Sequence, residues 1–469
     1  MRAWLTLILT VFALASSAQT QTPPQPPSPV RYDQPVIAIT HVALIDGTGA
    51  PTVRDRTIVI RDGRIAAVGP SDRIRVPAGA TVIDGTGKTL LPGFVFVHEH
   101  MFYPVGGGHF SPMLASFPPL YLAGGVTTAR TGGTVAPYAD INLREAIASG
   151  AVAGPDLDVT GPYIEGTGLP VMEMRRLADA DETERFVDYW AGAGATSFKA
   201  YMTLTRAELR RAIVTAHRHG ARITGHLCAV TYREAAEMGI DNLEHGFGAM
   251  TDFVAGRQPD VCPLDQTNNL LGNVDPDSAA VRDLIRLLVE RRVALTSTLV
   301  VFEDFTPGRP RIGEAALAML NSDARASWER IHGIIDAQPP EAGAATFAKM
   351  LRLERMFVEA GGLLLAGTDP TGAGGALPGF ASQRQIQLLV EAGLPFERAV
   401  QVGTLNGARF LRREGEIGSI EVGKRADLVL LDGDPTPAAL DHIVTVFKAG
   451  RGYDREALLV MGRGRVGYR

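Results

Sequence analysis

Between residues 91 and 410, short apolar runs alternate with amphipathic stretches, and this rhythm limits the chain to a parallel sheet whose strands are joined by helices. The runs begin near Phe94, Gly125, Leu157, Ala195, Ala221, Asn242, Val293 and Leu363. Two of the intervening helices carry their own start signals. Thr205-Arg206-Ala207-Glu208 and Thr231-Tyr232-Arg233-Glu234 are capping boxes, closed by Gly220 and Gly239. Eight strand–helix units suffice for a (β/α)8 TIM barrel, which carries its active site at the C-terminal strand ends. The expected fold class is α/β, with that barrel at 91–410.

The flanks read differently. Residues 36–90 contain short strands with Asp-Gly turns, as in Ile58-Val59-Ile60-Arg61-Asp62-Gly63, and residues 411–469 return to this style in Leu428-Val429-Leu430-Leu431-Asp432-Gly433. The two segments are expected to pair as one small flanking β-sandwich domain. At the N-terminus, Arg2 and the apolar run 3–14, followed by Ser16-Ser17-Ala18, predict a signal peptide over residues 1–18. Residues 19–35, rich in Gln and Pro, are expected to be an extended linker. The expected location is therefore outside the cytoplasm, periplasmic or secreted. No other run is long enough to span a bilayer. With 46 basic and 51 acidic residues spread along the chain, no stripe of charge points to nucleic acid.

The candidate chemistry lies at the predicted strand ends. In Phe94-Val95-Phe96-Val97-His98-Glu99-His100, strand alternation projects His98 and His100 to the same side, where two imidazoles can chelate one ion. Taken alone, the pair also reads as polar residues at a barrel mouth. His217-Arg218-His219 has the same spacing but ends a helix, where the two rings diverge by about 200°. Lys199 ends the fourth strand between apolar neighbours, so desolvation favours its neutral amine, which can take up carbon dioxide. His226 and His245 end strands five and six. Asp369 ends the last strand before Pro370 and suits a ligand or general base, or simply a turn. Long connections at 247–279 and 302–345 are placed to shape a pocket. His109, Tyr201 and Tyr232 are within reach of substrate on this reading, although each also suits packing or surface. Cys228 and Cys262, the only cysteines, suit either a disulfide pinning the strand-six loop or two buried thiols.

Together His98-Glu99-His100, Lys199, His226, His245 and Asp369 resemble the metal constellation of the amidohydrolase superfamily, closest to its imidazolonepropionase-like and prolidase-like members. Leu91-Pro92-Gly93-Phe94, Gly124-Gly125-Val126-Thr127-Thr128, Leu243-Glu244-His245-Gly246 and the stretch from Gly418 to Asp427 extend the likeness over nearly everything after the linker. One departure is Ala129-Arg130-Thr131, where relatives often have an acid after the arginine. The resemblance implies one metal on His98, His100 and Asp369 and a second on His226 and His245. Carbamylated Lys199 would bridge them, with two Zn2+ as the expected ions. It implies hydrolysis of an amide or peptide C–N bond by metal-activated hydroxide, with Asp369 as general acid and base. The substrate would be a small molecule or dipeptide-like, and related barrels commonly pair as homo-oligomers. The same ligands also serve lactone hydrolysis or isomerisation. A non-catalytic binding scaffold on this fold fits less well, because the ligand set is complete.

Overall fold

The structure is a computed structural model that describes residues 28–169, 171–341 and 343–468. The expected signal peptide and residues 19–27 lie outside the described residues. A parallel strand starts within two residues of each expected position. These are β1 (Phe94–Glu99), β2 (Val126–Thr131), β3 (Asp156–Asp158), β4 (Ser197–Ala200), β5 (Arg222–Gly225), β6 (Asn242–Glu244), β7 (Ala294–Ser297) and β8 (Leu364–Ala366). Every residue of β1, β2, β4 and β7 is buried. Of these, β1 opens on the continuous apolar run Phe94-Val95-Phe96-Val97 expected of a strand covered on both faces, whereas β2, β4 and β7 bury Thr, Ser, Arg or Lys among their apolar residues.

Two hydrogen-bonded sheets result, β3-β2-β1 and β4-β5-β6-β7-β8. Two joints link them. Between β3 and β4, Thr196 N–H donates to the Val159 carbonyl at 2.8 Å and Gly161 N–H to Ser197 at 2.9 Å. Between β8 and β1, the N–H groups of Thr368 and Asp369 donate to the His98 carbonyl at 3.2 and 3.1 Å. The last joint brings the end of β8 against the His98 backbone. Both capping boxes form, opening helices Arg206–Arg218 and Tyr232–Met238. The 302–345 connection is largely helical, with Ser322–Asp336 as its longest complete helix.

The flanking segments make one nine-stranded sheet. Strands Val36–Leu44 and Leu428–Asp432 both pair with Lys88–Pro92, so N- and C-terminal pieces share a single ladder. The expected sandwich is thus one sheet doubled over its own core of Ile37, Ile58, Ile60, Leu428, Leu430 and Phe447. Asp62 and Gly63 have φ of 49° and 77°, the two-residue hairpin geometry that Asp-Gly favours. That turn meets the one at Gly450, where a Cβ would lie 2.6 Å from Gly63 Cα. The linker expectation extends too far. Val30–Tyr32 is a strand paired with Arg451–Asp454, held by Arg451 against Asp33 at 2.9 Å. The C-terminal helix Arg455–Gly462 leaves the sheet and packs on helix Phe117–Ala123 of the central body. Cys228 and Cys262 form a disulfide that ties the loop after β6 to the end of β5. Among the described residues, no helix is long and apolar enough to cross a membrane.

An ion cluster joins the two parts. Asp156 on β3 accepts from Lys448 at 2.9 Å and from Arg425, which also pairs with Asp427. Burial raises the Asp156 carboxyl, but Lys448 and Arg425 outweigh it and bring it down to about 2. A carboxyl depressed below its ordinary value of 3.8 contributes stability above that value and loses it as pH falls through about 2. Asp156→Asn is expected to cost roughly 2 kcal/mol in urea unfolding at neutral pH. The difference from the unchanged protein should shrink as the pH drops from about 4 towards 2. A gap independent of pH would show that the cluster is not what joins them.

Candidate metal centre

All six predicted ligands meet at the C-terminal ends of the parallel strands. His98 is fully buried at the end of β1. Its Nδ1 lies 2.8 Å from Glu244 Oε2, and since a carboxylate only accepts, Nδ1 carries the proton. The Nε2 lone pair then faces inward, 3.0 Å from Lys199 Nζ and 3.9 Å from Asp369 Oδ2. His100 follows the same logic. Its Nδ1 donates to the Gly133 carbonyl at 3.1 Å, leaving Nε2 3.2 Å from Asp369 Oδ1. His245 is bonded through Nδ1 to Thr298 Oγ1 at 3.0 Å, and its buried Nε2 has no hydrogen-bond partner. Its ring centre lies 4.7 Å from that of His98, tilted, and 4.2 Å from that of His226, edge to face. Ligand atoms of His98, His245 and Asp369 lie within 4.8 Å of one another.

Electrostatics sharpen this picture. Burial lowers His100 to about 4 and His226 to about 3, and holds His245 well below its ordinary value. These imidazoles are neutral at pH 7. Burial would raise Asp369, but His98, His100 and His245 keep it well below the carboxylate range. At His100 and Asp369 an imidazole lone pair and an ionised carboxylate therefore face each other 3.2 Å apart. A divalent cation resolves that conflict, and 3.2 Å is close to the spacing of two ligands held at about 2.0–2.1 Å from one ion. The donor set fits a metal. Burial also brings the Lys199 amine down to about 8, against the pull of Glu244 and Asp369.

A second layer holds the ligands. Arg130 is fully buried and donates to Glu244 Oε1 at 3.2 Å, Val97 O at 2.9 Å, Ser197 Oγ at 3.0 Å and Thr224 Oγ1 at 3.0 Å. One guanidinium thus ties β1, β4, β5 and β6 together beneath the site. Burial opposes ionisation of Glu244, yet His98, Arg130 and Lys199 keep it well below its ordinary value. Glu99 accepts from Thr368 N–H at 2.9 Å and from the Thr368 hydroxyl, next to Asp369, and burial raises it to about 8. The sequence motifs contain Glu99, Arg130 and Glu244 but assigned a role to none of them. The signal available was a charged residue inside a buried strand.

Other expectations resolve individually. Tyr232 does not face substrate, because its hydroxyl donates to the carbonyls of Glu244 and Gly246 at 3.0 and 2.9 Å. His109 pairs with Glu173 at 3.0 Å and stands apart from the cluster. His217 and His219 pair with Asp241 and Asp188 on the surface, as their helical spacing required. Tyr201 does line the cavity above the ligands, with Tyr163 beside it at 4.9 Å between ring centres.

Comparison with known proteins agrees with this geometry. Residues 89–463 match the model of the amidohydrolase family. An imidazolonepropionase of Alkaliphilus metalliredigens is 24% identical over 454 residues, covering 88% of this chain and 92% of that protein. A candidate prolidase from Bifidobacterium longum has a similar structure, with a TM-score of 0.66 and 25% identity over 91% of this chain and 98% of the other. A Xaa-Pro dipeptidase with bound methionine superposes with a TM-score of 0.67 at 22% identity, over 89% of this chain and 100% of the other. The chain belongs to the amidohydrolase family and is a metal-dependent hydrolase acting on carbon–nitrogen bonds.

Proposed function

We propose that this protein hydrolyses an amide bond at a pair of zinc ions bridged by Lys199 as its carbamate. His98, His100 and Asp369 would hold one ion, and His226 and His245 the other. The carrying observation is the convergence of unprotonated imidazole nitrogens on the Asp369 carboxylate. The bridging role rests on a buried lysine amine 3.0 Å from His98 Nε2. The joints at β3–β4 and β8–β1 support reading the two parallel sheets as one closed (β/α)8 barrel, with the site at its mouth. Export to the periplasm or beyond is part of the same proposal, and the Cys228–Cys262 bond, which persists in oxidising compartments, supports it.

Ions bound here polarise the amide carbonyl and lower the pKa of water towards neutrality. The chain supplies the proton path and the alignment. Asp369, ionised, accepts a proton from the attacking water and returns it to the leaving nitrogen. The Thr371 hydroxyl donates to Asp369 Oδ1 at 2.8 Å and fixes the carboxylate rotation. Burial pushes the Tyr163 and Tyr201 hydroxyls above their ordinary range. Both keep their protons and are donors for the developing negative charge on the carbonyl oxygen.

Stripping with a chelator and reloading with zinc in bicarbonate should give two metals per chain and restore turnover on a panel of dipeptides, N-acyl compounds and cyclic amides. Asp369→Asn should lower kcat about a thousandfold with the far-UV spectrum unchanged. A protein that retains no divalent metal, or an active Asp369→Asn variant, overturns the reading.

Arg130→Met leaves Glu244 charged and unpaired below the site. Stability is expected to fall by about 3–5 kcal/mol, and zinc affinity, read by chelator competition, by about 10- to 100-fold. Glu244→Gln should lose zinc affinity to a similar extent. Unchanged metal binding in both would remove the second layer from the account.

A further inference from the structure

The cavity over the cluster measures about 290 Å³. Beyond the ligands its wall is aromatic and aliphatic, with Phe102, Phe110, Phe302, Phe305, Met174 and Leu270 as its main surfaces. The Phe102 ring lies 4.5 Å from that of His100 and 5.1 Å from Phe110. Across the site, Phe302 lies 5.9 Å from His245. The reacting end is therefore flanked by apolar faces on both sides. The same character continues to the rim. Phe305 is 50% exposed, and Met172 and Leu264, on the loops that frame the cavity, are 78% and 45% exposed. Large apolar side chains left in water around one mouth mark a surface completed by an apolar ligand.

The wall is also short of charge. Among the described lining residues Lys199 is the only lysine or arginine, and its amine faces His98 rather than the outer cavity. Arg176, on one of the framing loops, is exposed and does not line the cavity, and three other arginines of these loops are engaged elsewhere. Arg175 pairs with Glu182, Arg257 with Glu234, and Arg309 with Glu303 and Glu391. Among the described lining residues Asp369 is the only acid. A free dipeptide brings one ammonium and one carboxylate. Among the described lining residues no cation is free to pair with the carboxylate, and burying it without a counter-ion costs more than apolar contact returns.

We infer, building on the hydrolase reading above, that the substrate is an uncharged amide bearing an aromatic or branched apolar group. A dipeptide with a free carboxylate is disfavoured. The apolar group lies between the Phe102–Phe110 and Phe302–Phe305 walls, and the amide lies at the ligand cluster.

The test uses the zinc-loaded protein and a matched set: N-phenylacetyl-phenylalanine amide, the corresponding free acid, and the dipeptide Phe-Pro. Affinity is read by thermal shift and competition, and product release is followed in parallel. The neutral amide should bind at least about tenfold tighter than either carboxylate. Phe302→Ala should weaken the amide about tenfold. Phe305 is half exposed, so Phe305→Arg spares the core, and it should tighten the free acid about tenfold. Equal or tighter binding of a carboxylate by the unchanged protein, or no binding of the amide, overturns the inference. If the affinity order holds but no member is cleaved, the hydrolase reading fails and the pocket preference stands.

Discussion

The site depends on a single buried charge relay, from Arg130 through Glu244 to His98. A guanidinium with no exposure to water is costly, and one held in the interior must have its donors satisfied. Here they are spent on backbone and side chains of β1, β4, β5 and β6, and on one carboxylate. Glu244 thereby stays ionised in a dry interior and in turn sets the His98 tautomer. The relay neutralises itself, one positive against one negative charge. Asp369 faces the imidazoles of His98, His100 and His245, a donor set that suits a metal ion better than an ion-pair network.

Backbone geometry completes the arrangement. His245 and Asp369 have φ of 69° and 50°, in the left-handed region that residues other than glycine rarely enter. Each turns its chain just beyond the end of a strand, where its side chain meets the ligand cluster. The neighbouring bonds hold that geometry in place. Tyr232 fastens the carbonyls on either side of His245, and Glu99 fastens Thr368 beside Asp369. Strain of this kind persists only where surrounding contacts over-determine it. Both residues sit where the structure supplies such contacts.

Much of this was legible in the sequence for definite reasons. The alternation of short strand-like runs with helical stretches located the starts of β1 to β8 to within two residues. The ligands stand at the ends of those runs, and two-residue alternation separated His98 and His100 from the helical decoy at His217 and His219. The second layer was not legible, because Arg130, Glu244 and Glu99 gain their roles from partners distant in sequence. Arg130 and Glu244 are separated by 114 positions, and no local pattern joins them. The Ala129-Arg130-Thr131 departure now has half an explanation. The arginine finds its carboxylate on β6, and Thr131 accepts from Thr160 N–H at 2.8 Å at the β3 edge. The N-terminal edge strand escaped for the opposite reason. Val30–Tyr32 follows a proline-rich segment, and only pairing with Arg451–Asp454 makes it a strand.

The apolar cavity and the buried charges beneath it belong to one physical arrangement. Phenylalanines on the wall lower the polarity beside the buried ligands, and in such a medium each charge–dipole contact is worth more than it would be in solvent. The same wall makes any unpaired charge on a ligand expensive. A site that strengthens its own electrostatics in this way therefore restricts what enters, unless it adds a dedicated counter-ion at the rim. The described wall adds none, while Tyr163 and Tyr201 retain neutral donors there. The proposed selectivity for uncharged amides rests on the same surroundings that keep the imidazoles unprotonated at neutral pH.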